Sequence, residues 1–218
     1  MITKYGYDVF FTIAGICFLA VLIAVFVIEP RVFKYLVIGV AVVFFGFTLN
    51  FFRDPDRISP EGEGLILSPA DGKVIAIKEL EEWEFFKGPA LQISIFMSPL
   101  NVHVNRIPVS GKVAYYRYVS GEYFAAFEDK ASEKNEQTII GLEHPHGRVL
   151  FKQIAGFVAR RIVCTLNVGD SVKAGERFGM IKFGSRVDVI IPRSAKTMIE
   201  VGRNAVAGET ILAELSQD

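Results

Sequence analysis

Two uncharged apolar runs, one directly after the other, constrain this chain more than any other feature. Residues 9–28 read VFFTIAGICFLAVLIAVFVI and residues 35–52 read YLVIGVAVVFFGFTLNFF, with Glu29, Pro30, Arg31 and Lys34 between them. A helix needs about twenty apolar residues to cross a hydrocarbon core, so the first run spans and the second is just long enough. A secretory signal would have a shorter apolar stretch, a more basic start than Lys4 alone, and no second run at once behind it. The break cannot hold a domain, so the pair predicts a transmembrane helical hairpin, residues 1–52, with both ends on one side of a cell membrane. Basic residues choose the side. Lys4, Arg53 and Arg57 flank the outer ends, against Arg31 and Lys34 at the turn, which favours the cytoplasmic face for everything that follows. Cys17 lies inside the first run, so a disulfide framework with Cys164 is not expected.

From Arg53 the texture changes. Residues 73–79 (KVIAIKE), 91–97 (LQISIFM), 112–119 (KVAYYRYV), 148–154 (RVLFKQI) and 187–191 (VDVII) read as strands, rich in β-branched and aromatic residues. Asp71-Gly72, Ser110-Gly111, Pro145-His146-Gly147 and Gly169-Asp170 punctuate them as turns. A helical period is visible only over 124–135. The fold expected for 53–218 is therefore mainly β, a compact domain of short β-hairpins. Its stretch 168–183 (VGDSVKAGERFGMIKF) is similar to the turns of biotinyl- and lipoyl-type barrel-sandwich domains. Basic and acidic residues balance at 24 each, which removes the electrostatic case for nucleic-acid binding.

The dipeptide that could carry chemistry is Gly184-Ser185, between two strand-like runs in FGSRVDVIIP. Taken alone it reads as an ordinary turn or bulge. It also has what self-cleavage needs. A serine hydroxyl can attack the preceding carbonyl, and glycine leaves that carbonyl unhindered. Elimination and hydrolysis would then leave a pyruvoyl cap, a carbonyl able to condense with an amine and draw off electrons.

The surrounding stretches decide between these readings. Residues 51–77 (FFRDPDRISPEGEGLILSPADGKVIAI) and 96–113 (FMSPLNVHVNRIPVSGKV) strongly resemble the phosphatidylserine decarboxylase family. Residues 129–138 (DKASEKNEQT) and 153–163 (QIAGFVARRIV) follow in the order and spacing of its short form. Residues 179–192 (GMIKFGSRVDVIIP) fall where the family carries its cleavage motif. Several motifs in one order are far more specific than any one alone.

The resemblance implies a catalytic domain over 53–218, cleaved between Gly184 and Ser185 into a β chain (1–184) and a pyruvoyl-capped α chain (185–218). The two chains would form a heterodimer, with further association as the family suggests. It implies decarboxylation of phosphatidylserine, or a related serine phospholipid, through a Schiff base with the pyruvoyl group. No metal or diffusible cofactor is required. Asp71, in SPADG, matches the acid that supports self-cleavage; read locally, it is an Asx-turn residue. His103, in NVHVNRIP, matches a histidine near the pyruvoyl group and is the candidate for proton transfer. Longer members carry a second histidine three residues on, where this chain has Arg106. Either His103 serves both processing and decarboxylation, or Arg106 and a water take over part of the role. Arginine stays charged and is a poor base, which favours His103. Tyr123, Phe124 and Phe127 border the lipid-access mouth or belong to the core. Trp83, Phe85 and Phe86 pose the same choice between core and an interfacial lip.

Two other functions compete. A membrane-tethered biotinyl/lipoyl-like carrier or adaptor would use Lys182 as the modified lysine of a hairpin tip. A metallopeptidase-like domain would use His144 and His146, whose alternate spacing can serve a metal. Pro145 and Gly147 make the latter pair read instead as a solvated turn.

Overall fold

A computed structural model describes residues 1–121, 135–156, 161–182 and 185–216 of the chain. It divides into two compact units, Met1–Pro55 and Asp56–Asp218.

The first unit is a helical pair. A short 3-10 turn (Lys4–Gly6), capped by the Thr3 hydroxyl, leads into α1 (Tyr7–Phe26). Pro30 precedes α2 (Arg31–Phe51), where its fixed φ suits a helix start. At 1.5 Å per residue each helix is about 30 Å long, the thickness of a hydrocarbon core. Phe18 and Val43 leave 67% and 73% of their surface uncovered, apolar area that water would penalise and lipid would not. The hairpin is closed at its open end: Thr3 N–H donates to Phe52 O at 2.9 Å and Asp54 N–H to Met1 O at 2.7 Å. At the turn, Lys34 Nζ donates to Val25 O at 3.2 Å. Both ends of the pair therefore lie together, as the short break between the runs requires.

The second unit is mainly β. An eight-stranded antiparallel sheet has the order β13-β2-β3-β11-β7-β6-β5-β9. Its long members are β2 (Gly72–Glu82), β3 (Gly88–Met97), β5 (Gly111–Val119), β6 (Gln137–His144), β7 (Gly147–Ala155) and β11 (Ser185–Pro192). Short β9 (Ser171–Val172) and β13 (Asn204–Ala205) close its edges. Two three-stranded sheets accompany it. One orders β4 (Val104–Arg106), β10 (Arg177–Ile181) and β8 (Ile162–Cys164) as β4-β10-β8. The other orders β1 (Leu65–Leu67), β14 (Ile211–Glu214) and β12 (Lys196–Thr197) as β1-β14-β12.

Alternation along β11 explains how the layers meet. Val187, Val189 and Ile191 point to one face and join Ile93, Ile95, Met97, Phe151 and Phe178 in the main core. Fully burying each such side chain contributes about 1.5–3 kcal/mol. Phe151 and Phe178 meet edge to face at 5.3 Å, so β10 is packed onto the large sheet. The opposite face carries a smaller cluster of Phe85, Ala90, Ile139, Leu150 and Ile190.

All five segments expected as strands are strands. Of the turn assigned to Asp71-Gly72, Asp71 ends a bend over 69–71 and Gly72 already opens β2. Glycine is required there by close approach rather than by a turn: a Cβ would stand 2.2 Å from Phe96 O. Of the helical stretch suggested over 124–135, only Asn135 lies within the described residues.

Candidate active site

Ser185 opens β11, the strand held between β3 and β7. It stands opposite Met97, the last residue of β3, and Ala155, the last of β7. It is fully buried. Register puts its side chain on the main-core face with Met97, and its Oγ donates to Met97 Sδ at 3.2 Å. A thioether is a weak acceptor, so the hydroxyl is held without being strongly engaged.

The backbone of Ser185 is oriented by its other neighbour. Ala155 N–H donates to Glu136 O at 2.9 Å, and Ala155 O accepts from Asn135 Nδ2 at 2.7 Å. Both polar groups of Ala155 thus face away from β11. Antiparallel alternation then turns the Ser185 N–H and carbonyl toward β3, at Met97.

His103 precedes β4 and is also fully buried. Its backbone O accepts from Ile181 N–H at 3.4 Å, beside the strand that leads back to Ser185. Its Nδ1 lies 2.9 Å from Asn101 O. A carbonyl only accepts, so Nδ1 carries a hydrogen, and in the neutral ring Nε2 holds the lone pair.

Asp71 immediately precedes β2, and its carboxylate does not make the local Asx turn read from the sequence. Among the described residues its partners are distant in sequence: Arg57 Nη2 at 3.2 and 3.0 Å, and the Ala207 N–H at 2.8 Å. The segment preceding it reaches Ser185 indirectly. Pro69 O accepts from Arg106 N–H at 2.9 Å and from Asn105 Nδ2 at 3.3 Å. Asn105 Nδ2 is also 3.9 Å from Met97 Sδ. Asn105 Oδ1 accepts from Gln153 Nε2 at 2.9 Å, and Gln153 Oε1 accepts from Thr138 Oγ1 at 2.7 Å. This buried amide chain was not singled out from sequence. The NVHVNR and DKASEKNEQT stretches contain two of its members, but nothing in their spacing shows that the side chains meet.

Arg106 turns its side chain to the loop before β10, where Nη1 donates to Gly175 O at 2.8 Å. Gly184, Tyr123, Phe124 and Phe127 lie outside the described residues. Trp83 is exposed, whereas Phe85 belongs to the smaller core cluster with Phe86 packed against it. Their hairpin tip is at the opposite end of β2 and β3 from Met97, so these aromatics do not border Ser185. Ten residues of strand separate the two ends, about 30 Å.

Lys182 is buried, and its backbone N–H bonds to Arg161 O at 3.2 Å. It is not the exposed tip lysine that a carrier domain modifies. His144 and His146 flank the β6–β7 turn, with His146 N–H donating to His144 Nδ1 at 3.1 Å. Burial, and then the neighbouring His146, lower the pKa of His144. Among the described residues no group of three or more His, Cys, Asp or Glu is placed to hold a metal.

A pyruvoyl group made from this serine fits what is present. The residue to be converted is buried, its hydroxyl rests on a weak acceptor, and a histidine with an assigned lone pair is part of the same end of the fold.

Comparison with known proteins supports the same chemistry. The family model described as phosphatidylserine decarboxylase matches residues 44–213. A phosphatidylserine decarboxylase proenzyme of Chlorobium chlorochromatii (strain CaD3) is 47% identical over 212 residues, 97% of this chain and 99% of that protein. One from Chlorobium phaeobacteroides (strain DSM 266 / SMG 266 / 2430) is 46% identical, covering 97% of this chain and 99% of its own. One from Chlorobaculum tepidum is 44% identical, covering 98% and 97%.

Proposed function

The chain belongs to the phosphatidylserine decarboxylase family, and we propose that its active centre is the buried start of β11, with Ser185 as the pyruvoyl precursor. The protein is a pyruvoyl-dependent carboxy-lyase that converts phosphatidylserine to phosphatidylethanolamine and is made as a self-cleaving proenzyme. The covalent pyruvoyl group supplies an electrophilic carbonyl that takes up the substrate amine and accepts the electron pair left when carbon dioxide departs.

The observation that carries the site assignment is the complete burial of Ser185 with its Oγ on Met97 Sδ. Cleavage falls between Gly184 and Ser185, leaving chains of residues 1–184 and 185–218. The strand pairings favour a heterodimer that stays together. In the uncleaved chain β11 lies between β3 and β7, and β14 and β13 pair with β1 and β2, pairings that a cut at 184/185 would leave unsevered. His103 Nε2 is the atom assigned to proton transfer, because Nδ1 is committed to Asn101 O. Asp71 supports processing by fixing the segment before β2 rather than by touching Ser185. The two apolar helices support association with a membrane. The flanking basic residues support placement of the β unit on the cytoplasmic face of the cell membrane. The short turns around Gly169 and Gly175, both at positive φ, support kinship with the biotinyl/lipoyl barrel-sandwich.

Denaturing mass spectrometry of the wild-type protein in detergent and lipid tests the assignment. Two chains split at 184/185, the smaller bearing a ketone in place of its amino group, are expected. Ser185→Ala should give one intact chain without decarboxylase activity. An intact wild type after long incubation, or a split Ser185→Ala, would overturn it.

A further inference from the structure

Asn105 is fully buried, and its side chain ties together three segments that are far apart in sequence. Nδ2 reaches Pro69 O at 3.3 Å and Met97 Sδ at 3.9 Å, while Oδ1 accepts from Gln153 Nε2 at 2.9 Å. We propose that Asn105, oriented by Gln153 and Thr138, is a positioning residue for self-cleavage that sets the acceptor on which the Ser185 hydroxyl rests. The proposal depends on Ser185 being the cleavage nucleophile.

The hydrogen bonds of this series all run in one direction. The Thr138 hydroxyl donates to Gln153 Oε1 at 2.7 Å, so the amide oxygen of Gln153 faces Thr138 and its nitrogen faces Asn105. Gln153 Nε2 is also 3.4 Å from Val163 O, a second acceptor that fits nitrogen and not oxygen in that place. Asn105 must then present Oδ1 to Gln153 and Nδ2 to Pro69 O and Met97. The reversed amide would oppose oxygen to the Pro69 carbonyl. Each amide in the series has one orientation that satisfies its partners, so polarity is passed from Thr138 to the neighbourhood of Ser185.

Two consequences meet at the nucleophile. Met97 has a flexible side chain with several accessible rotamers, and besides the Ser185 hydroxyl its sulfur meets the Asn105 amide, at 3.9 Å. The Ser185 hydroxyl hydrogen is directed to that sulfur at 3.2 Å, which leaves the oxygen lone pairs free to approach the preceding carbonyl. In the shift itself, a bond forms between Ser185 Oγ and the Gly184 carbonyl carbon. The Gly184–Ser185 C–N bond breaks, and the hydroxyl proton ends on the Ser185 nitrogen. The products are an ester and a free amine, with no oxidant, reductant or added reactant. Asn105 touches none of the reacting atoms. It also shares Pro69 O with the Arg106 N–H, so the same side chain fixes the segment that carries Asp71.

An amide that only stabilised the core would, when removed, lower the melting temperature without changing how fast each folded molecule splits. The test measures that rate on full-length chain synthesised into lipid nanodiscs, by denaturing mass spectrometry at timed intervals, with thermal melting in parallel. Hydroxylamine, which cleaves the ester, separates a slow acyl shift from a slow elimination. Asn105→Leu is expected to split roughly tenfold or more slowly, as the loss of one orienting hydrogen bond at the transition state implies. Hydroxylamine is expected to give no acceleration, because the ester does not accumulate. Thr138→Val removes the far end of the chain without touching Met97 or Ser185, and a smaller slowing of the same kind is expected. Wild-type splitting rates in folded Asn105→Leu, or in Thr138→Val should Asn105→Leu fail to fold, would overturn the positioning role. A wild type that never splits at 184/185 would instead remove the Ser185 assignment on which the role depends.

Discussion

Arg57 Nη2 straddles the carboxylate of Asp71, 3.2 Å from Oδ1 and 3.0 Å from Oδ2, with side chains only 10% and 13% exposed. Oδ1 also accepts the Ala207 N–H at 2.8 Å. The acid proposed to support processing is therefore locked in place by an arginine that precedes the domain's first strand.

The first prediction follows from that lock. Arg57→Leu would strand a largely buried carboxylate without its counter-charge, a change that typically costs about 3–5 kcal/mol. A clear fall in melting temperature and incomplete splitting are expected, read by thermal unfolding in detergent and by the ratio of intact to split chain. Asp71→Asn keeps an acceptor for Ala207 and should be the milder variant in stability. Equal stability of Arg57→Leu and wild type would show that the pair contributes nothing.

Much of this was legible before the structure. The helical pair and five strands were visible because apolar run length and alternation report directly on burial. Strand β6 was missed because Gly141 interrupts its pattern. The structure gives the reason: a Cβ at Gly141 would stand 2.9 Å from the Phe85 ring, so the glycine makes room for a side chain from another hairpin. Ser185, His103 and Asp71 stand out in the sequence through the motifs around them, and the structure buries all three. The Arg57 pair, the Met97 contact and the Asn105–Gln153–Thr138 chain were not legible there. Each joins residues far apart in sequence, and no local period encodes a register between β3, β7 and β11.

A second prediction concerns Cys164, at the end of β8. Burial pushes its thiol from an ordinary 9.0 up to about 11, against a smaller lowering by the Leu166 backbone. A thiol raised in the folded state favours folding below its unfolded pKa, and that contribution is lost as pH rises toward 11. At pH 8 its thiolate fraction should be roughly a hundredfold below that of a free thiol. Alkylation followed by peptide mapping should show Cys164 nearly inert at pH 8 and labelled progressively faster up to about pH 11. Labelling at the rate of an unfolded control at pH 8 would contradict the burial.

Arg106 separates stability from chemistry. Its Nη1 bonds to Gly175 O at 2.8 Å, and a Cβ on Gly208 would stand 2.8 Å from its Cδ, so the side chain fills a slot between two loops. Arg106→Ala is expected to lose about 1.5–3 kcal/mol, the usual worth of a hydrogen bond to a charged group. The folded fraction should still split at 184/185 at close to the wild-type rate. A stable Arg106→Ala that fails to split would assign the arginine to processing and displace His103 from one of its two roles.

His103 carries the last prediction. The Asn101 carbonyl, 2.9 Å from Nδ1, fixes the tautomer in which Nε2 holds the lone pair. A glutamine at this position can be accommodated at similar volume and can still donate to Asn101 O, but it has no basic nitrogen near neutral pH. His103→Gln is therefore expected to keep its melting temperature within a few degrees while decarboxylation per pyruvoyl group falls by roughly 10²–10⁴, the usual contribution of a positioned acid–base group. Pyruvoyl content, measured by the mass of the α chain, separates the two roles proposed for the imidazole. Slow splitting together with slow turnover would place Nε2 in both. Normal splitting with slow turnover would confine it to proton transfer on the substrate. Full activity would move the base to another residue, and the Asn101 contact would then be only a structural hydrogen bond.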